Sequence, residues 1–227
     1  IKFISKEYAL HLVVLIRSLV GLVVLFLFIV PLSGGVKVLY TNRLGLHLLR
    51  GFCVVFANIT FFLGLAALPL AEGVAIFFIS PLLITIFSVV FLKEIVGPRR
   101  WAAVTIGLIG VLVILRPGSA TFQTASLLPL SAAFGYATLH MLTRYIGKTE
   151  SAASMSFYIQ LTFLVVCLTL GLTIGDGKFS GWNDPSLEFL FRAWSWPSSD
   201  HYSILILIGT TSAFGGFFIS QAYRISE

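Results

Sequence analysis

The stretch from residue 52 to residue 118 constrains the fold most, because it is almost wholly apolar and is broken only by two short connectors. Its three apolar runs are about 20, 20 and 15 residues long, and a helix needs about 20 apolar residues to cross the hydrocarbon of a bilayer. The first connector holds Pro69, Glu72 and Gly73, and the second combines four charged residues with a Gly-Pro turn. Breakers and charges at these points predict three membrane helices in a zigzag.

The composition of the whole chain excludes a soluble domain. Hydrophobic residues make up 58% and charged residues 11%, whereas a soluble domain has about 25% charged residues. The formal net charge of +6 could suggest a nucleic-acid partner, but the basic residues lie singly beside apolar runs and form no nucleic-acid motif. We therefore expect a lipid bilayer as the surroundings and no nucleic acid as a partner.

Apolar runs on both sides of the zigzag bring the predicted total to seven membrane helices, so the predicted fold class is an all-α membrane protein, a polytopic helical bundle. The first run closes at Pro31, and the second opens near His47 and Arg50. The predicted spans are residues 10–30, 48–68, 73–92, 101–115, 127–142, 152–172 and 204–223.

Basic residues near the span ends predict the orientation of the bundle. One side gathers most of them and should face the cytoplasm together with the C-terminus, by the positive-inside rule. These residues are Lys37, Arg43, Arg50, Lys93, Arg99, Arg100, Arg144, Lys148 and Arg224.

The long loop at residues 173–200 carries a helix start. Asp184 before Pro185 is typical of an N-cap followed by proline at the first helical position. We expect a short helix there, lying in the interface with its aromatic residues among the lipid headgroups. The aromatic residues concerned are Phe189, Phe191, Trp194 and Trp196.

The ordered motifs of the zigzag resemble the EamA-type family of the drug/metabolite transporter superfamily. They are PLAEG at 69–73, FFISPLL at 77–83, LKEIVGPRRW at 92–101, a GxxG pair in the next span and RPG at 116–118. The resemblance implies ten helices in two five-helix halves, of which this chain would hold helices two to eight. Because the chain begins with Ile1 and has only two methionines, both internal, we also expect it to be a fragment.

An internal repeat points to the same architecture. The segment FFLGLAA at 61–67 matches FFISQAY at 217–223, and a glutamate follows each within a few residues, Glu72 and Glu227. An odd number of spans per repeat inserts the two halves with opposite topology, which is typical of secondary transporters with a site near the midplane. We therefore expect inverted five-helix repeats. Residues 1–125 would form a first EamA-type repeat lacking its first helix, and residues 126–227 a second lacking its last two.

Two charged residues are candidates for a charge or coupling role. Arg17 lies about seven residues inside its apolar run, roughly 10 Å along a helix. It either serves function there, or snorkels to the interface or pairs structurally. Glu72 resembles the acidic residue of the family's short connector, and the competing interpretation is an N-cap.

Polar and aromatic residues inside the spans are the candidates for a substrate cavity. Tyr136 and His140 share one helix face, although His140 could instead be simply interfacial. Phe77, Ser80 and Pro81 form a polar, kinked patch, because proline bends a membrane helix and frees a carbonyl.

Three further residues complete this set of candidates. Asn58 offers strong hydrogen-bonding groups in the second span, either to a cavity or as a link between helices. Ser212 and Gln221 add polar groups to the seventh span.

The expected function is a secondary transporter that moves small organic metabolites across the plasma or inner membrane by alternating access. We expect a multi-pass protein of the bacterial inner membrane with a small organic solute as its partner, and a homodimer is compatible with this interpretation. The alternative is a seven-helix membrane receptor or sensor.

An enzyme is not expected, because the chain has no HExxH or GxSxG motif. We also expect no cofactor and no metal ion.

Overall fold

The computed structural model describes residues 7–115 and 123–225, and every regular element within these ranges is helical. The RPG motif at 116–118 and Glu227 of the internal repeat lie outside them. The helices are α1 (Leu10–Leu32), α2 (Leu44–Ala67), α3 (Leu70–Phe77), α4 (Ser80–Leu92), α5 (Pro98–Leu115), α6 (Leu127–Gly147), α7 (Ala152–Ile174), α8 (Pro185–Phe191) and α9 (Ser199–Ile225). The α1 helix includes a π-helical turn at Leu25–Ile29, and 3₁₀ turns form at Val36–Leu39 and Thr124–Ser126.

Within the described residues, six helical segments are long and apolar enough to cross a membrane. They are α1, α2, α3 with α4, α6 with its preceding 3₁₀ turn, α7 and α9. The predicted fold class, an all-α polytopic membrane bundle, is confirmed. The remaining predicted span, residues 101–115, corresponds to α5, which has 18 residues and is not among the six. Its membrane crossing stays a prediction.

Several helices extend beyond their predicted apolar runs, because hydropathy does not mark the residue at which helical hydrogen bonding stops. The α6 helix runs to Gly147 rather than to residue 142, and α1 passes Pro31 to end at Leu32. The α2 helix begins at Leu44, before the predicted start at residue 48. His47 and Arg50 therefore lie within a helix and are buried.

The third span is discontinuous, as the kink predicted at Pro81 requires. Proline has no N–H to bond the carbonyl four residues earlier, here Phe77. The α3 helix ends at that residue, and two residues separate it from α4, which begins at Ser80. Broken helices of this kind border binding sites in many transporters.

Glycines allow the helices to approach closely. A side chain at Gly51 of α2 would collide with Thr162 of α7, and one at Gly209 of α9 would meet Cβ of Val20 at 2.5 Å. Small residues at such crossings strengthen helix packing where lipid removes the hydrophobic driving force. Large apolar residues point outward from the bundle, among them Phe52, Ile106 and Leu207.

The helix predicted in the long loop is α8, and its N-cap is as expected. The Asp184 carboxylate accepts hydrogen bonds from the amides of Ser186 (2.9 Å) and Leu187 (3.1 Å). The Ser186 hydroxyl donates to the carbonyl of Leu63 in α2 at 2.8 Å, so α8 is docked on the bundle. The headgroup position predicted for Phe189 is wrong, because this docking buries the ring to 2% exposure in the core.

We expect Gly209→Ala to lower the melting temperature of the full-length protein in detergent. The added methyl group would meet Cβ of Val20 and the carbonyl of Arg17, which do not move without shifting α1, and overpacking of this kind costs about 1–3 kcal/mol. Gly110→Ala is the control, since nothing lies within 4 Å of its added Cβ. Equal melting temperatures for both variants would contradict this packing.

We also expect acid to loosen the loop before α8. The hydrogen bond from the Gly181 amide lowers the pKa of Glu188 below its ordinary value of 4.5. The stabilisation is therefore complete above the pKa of the unfolded chain and is lost as pH falls through the lowered pKa of the folded one. Trp182 fluorescence in an acid titration should report the change, and Glu188→Gln should remove it, whereas Asp200→Asn should leave it intact.

Candidate functional site

A cavity of about 280 Å³ lies between α1, α2, α6, α7 and α9, and we call it the central cavity. Four of these helices contribute residues spaced three or four apart, which is the spacing of one helix face. The lining consists of Arg17 from α1; Arg50, Val54 and Asn58 from α2; Tyr136, Leu139, His140 and Thr143 from α6; Ser156, Ile159, Gln160 and Phe163 from α7; and Ser212, Ala213, Gly215, Gly216, Ile219 and Ser220 from α9.

Arg17 turns inward, so the snorkelling alternative is wrong; the side chain pairs with Asn58, and its functional role stays a prediction. Its side chain is 6% exposed, and Nη1 donates to Asn58 Oδ1 at 2.9 Å. Its guanidinium carbon lies 4.6 Å from the ring centre of Phe163, which gives a cation–π contact. Asn58 thus both links α1 to α2 and lines the cavity. In the described part of the chain, Nε of Arg17 has no hydrogen-bond partner.

Arg50 is a second buried arginine in the cavity wall, and the sequence analysis missed it. It is 1% exposed, and its Nε donates to Thr143 Oγ1 at 3.1 Å. Its position at the start of an apolar run is typical of a topology marker. The sequence signal that could have identified Arg50 as a cavity residue is its spacing. Arg50, Val54 and Asn58 are four residues apart and therefore share one face of α2.

Aromatic rings form one wall of the cavity. The His140 ring lies 4.2 Å from Tyr136 and stacks on Tyr223 of α9 at 4.3 Å. The interfacial alternative for His140 is wrong, because the residue is 3% exposed and packs inside the bundle. Among the residues that the structure describes, neither of its ring nitrogens has a hydrogen-bond partner. Phe77 contacts Tyr136, with ring centres 5.2 Å apart, but does not line the central cavity.

A second cavity, which we call the side cavity, has a volume of about 580 Å³ and contains the break in the third span. Ser80 and Pro81 line it together with Tyr136 and Tyr223. Arg144 also lines it and binds both carboxylate oxygens of Glu94, at 2.8 and 3.0 Å. This bidentate pair ties the connector after α4 to the end of α6.

Comparison with known proteins decides the family. The family description "EamA-like transporter family" matches residues 1–116, more than half of the chain. The chain belongs to the EamA-like transporter family. The resemblance predicted from the zigzag motifs is therefore confirmed.

Curated relatives of this EamA-like chain are transporters and not enzymes. A riboflavin transporter of Vibrio cholerae serotype O1 is 31% identical over 95% of this chain and 66% of its own length. A riboflavin transporter of Brucella anthropi is 30% identical over 85% of this chain and 63% of its own. An S-adenosylmethionine uptake transporter of Rickettsia prowazekii is 28% identical over 85% of this chain and 59% of its own.

The chain therefore spans about three fifths to two thirds of the length of these relatives. No solved structure matches it. A family of transporters disfavours the receptor or sensor alternative and agrees with a multi-pass membrane protein.

The candidate residues of this EamA-like chain fall into separate groups. Arg17, Asn58, Tyr136, His140 and Ser212 line the central cavity, whereas Ser80 and Pro81 line the side cavity. Their roles in binding stay predictions.

Glu72 and Gln221 line neither cavity. The N-cap interpretation of Glu72 is wrong, because Pro69 holds the cap position and Glu72 lies in the first turn of α3. Its coupling role stays a prediction.

A buried contact between His47 and Glu150 was not predicted. His47 Nε2 lies 3.2 Å from Glu150 Oε2, and the two side chains are 0% and 8% exposed. The Glu150 carboxylate also accepts hydrogen bonds from Thr41 and Ser154. His47 was placed at a span end, and Glu150 in a loop. Among residues 7–115 and 123–225, no group of three or more His, Cys, Asp or Glu side chains could hold a metal ion.

Asn58→Leu should destabilise the full-length protein by roughly 2 kcal/mol or more, because it leaves a buried arginine without its acceptor. Thermal unfolding in detergent measures the loss. Asn183→Leu, an exposed position in the long loop, is the matched control. If both variants melt together, the Arg17–Asn58 hydrogen bond contributes nothing to stability.

Proposed function

We propose that this chain forms the central part of a secondary transporter that moves a small organic metabolite across the bacterial inner membrane. The observation that carries the proposal is the central cavity. It lies within a bundle of membrane helices, and some buried polar groups that face it have no hydrogen-bond partner within residues 7–115 and 123–225. Such groups are Nε of Arg17, Oγ of Ser156 and both ring nitrogens of His140. A solute supplies partners for such groups, and membrane proteins keep buried polar groups mainly for function.

The names of the relatives suggest the kind of solute. Two are riboflavin transporters and one takes up S-adenosylmethionine, and both molecules carry a planar heteroaromatic ring system. The central cavity offers the rings of Tyr136, His140 and Phe163 for stacking. We therefore propose a metabolite with a heteroaromatic ring as the solute.

Helix contacts support the inverted repeat. In the proposed two-fold relation, α1 corresponds to α7 and α2 corresponds to α9. The contact between α1 and α9 should therefore have a counterpart between α7 and α2. Both contacts are present. Each includes a glycine, Gly209 against Val20 and Gly51 against Thr162. The cavity lies between helices of the two proposed halves, 1–125 and 126–227, where such carriers bind solute and rock during alternating access.

The proposed orientation makes the central cavity accessible from the cytoplasm. Most of the lining residues of α2 lie in its first half, and most of those of α6 and α9 lie in the second halves of these helices. The basic loops gather on that side, so the positive-inside rule places it in the cytoplasm with the C-terminus.

We expect Tyr136→Ala to lower the initial rate of solute uptake by about tenfold, because losing one well-packed aromatic contact costs about 1.4 kcal/mol. The measurement is uptake of labelled riboflavin, S-adenosylmethionine and other metabolite classes into proteoliposomes that contain the full-length protein. Tyr145→Ala is the control, since this tyrosine lies on the same helix and is 55% exposed.

Two outcomes would contradict the proposal. One is that no metabolite class accumulates above empty liposomes. The other is that Tyr136→Ala, at equal protein content, transports at the wild-type rate, which would move the solute site away from the central cavity.

A further inference from the structure

The central cavity carries an excess of positive charge. Arg17 and Arg50 are its only charged lining residues in the part of the chain that the structure describes, and they are 6% and 1% exposed. Guanidinium groups keep their proton in proteins. The wall therefore holds two fixed cations within membrane helices, where isolated charge costs several kcal/mol.

Carboxylates do not neutralise these cations. Among residues 7–115 and 123–225, none of the ion pairs includes Arg17 or Arg50. The Glu150 carboxylate, near the end of α6, is occupied by His47, Thr41 and Ser154. Glu94 is occupied by Arg144.

Neutral partners satisfy only part of each guanidinium group. Arg17 has Asn58 and the face of Phe163, and Arg50 has Thr143 and a long 3.5 Å contact from Nη1 to the carbonyl of Met155. Within the described ranges, Nη2 of each arginine has no hydrogen bond, and neither has Nε of Arg17. An arginine fork with free N–H groups matches the oxygens of a carboxylate or a phosphate.

The two arginines border one continuous wall. Asn58, which holds Arg17, lies two helical turns from Arg50 on the same face of α2, a rise of about 12 Å. The unpartnered hydroxyl of Ser156 faces the same space and can donate a further hydrogen bond.

We propose that the central cavity binds an anionic solute and that Arg17 and Arg50 hold its carboxylate or phosphate oxygens. This inference rests on the proposed transport function and specifies the solute: an organic anion is preferred over its neutral analogue. A neutral ring compound would leave both guanidinium groups uncompensated and would bind more weakly than the same ring carrying a phosphate or carboxylate.

The test is the thermal stability of the full-length protein in phosphatidylcholine nanodiscs. Inorganic phosphate and succinate are added at constant ionic strength against chloride, and succinamide is the neutral match for succinate. We expect each anion to raise the melting temperature by about 2 °C or more at saturation, whereas succinamide has no effect. A parallel sample with phosphatidylglycerol and no soluble anion separates a lipid headgroup from a solute.

Substitutions of the two arginines and of Asn58 test whether the anion binds in the central cavity. Arg17→Gln and Arg50→Gln should weaken anion binding at least about tenfold, Arg50→Lys should keep part of it, and the exposed Arg43→Gln should bind as the wild type does. Asn58→Asp places a carboxylate beside Arg17 and should weaken anion binding without unfolding the protein. It therefore decides the question even if a glutamine variant does not fold.

Three results would overturn the proposal. They are no shift with either anion, a shift that survives in Arg17→Gln, Arg50→Gln and Asn58→Asp alike, and stabilisation by phosphatidylglycerol alone, which would assign the arginines to a lipid. The uptake assay tests the transport proposal independently of the anion site. Uptake without an anion shift overturns only the anion site, whereas an anion shift without uptake of any metabolite overturns only the transport proposal.

Discussion

The absence of water from the bilayer interior is the constraint on which the rest of this structure depends. Every backbone N–H and C=O in the hydrocarbon must find its partner within the protein, so each crossing segment becomes a helix. Polar side chains follow the same rule and turn toward the centre of the bundle. Arg17 illustrates it, since its guanidinium contacts Asn58 and Phe163 on two neighbouring helices instead of reaching for the interface.

The fold was largely predictable from sequence, because that constraint leaves a strong signal in apolar runs about 20 residues long. The helix break near Pro81 was also predictable, because proline has no N–H and therefore interrupts a helix at a defined place. The cap at Asp184 was readable for a similar local reason. Helix ends were less predictable, because hydropathy reports where lipid begins and not where hydrogen bonding stops.

The site was only partly predictable, and the errors share a cause. Polar residues deep in apolar runs, such as Asn58 and Tyr136, stand out and do line the cavity. Arg50 and His47 lie where a run begins, and basic residues there are usually topology signals. Whether such a residue faces lipid, water or the bundle depends on which neighbour covers it. In Arg50 that neighbour is Thr143, more than ninety residues along the chain, which no local pattern reveals.

The stack of Tyr136, His140 and Tyr223 has a consequence for the interior as a whole. Tyr136 lines both cavities, His140 faces the central cavity and Tyr223 faces the side cavity. The three stacked rings thus connect the wall of one cavity to the wall of the other, and Tyr136 belongs to both walls. Rotamer changes happen far faster than helix movements. A change in the rotamer of Tyr136 would therefore alter the walls of both cavities at once, without any movement of the helices.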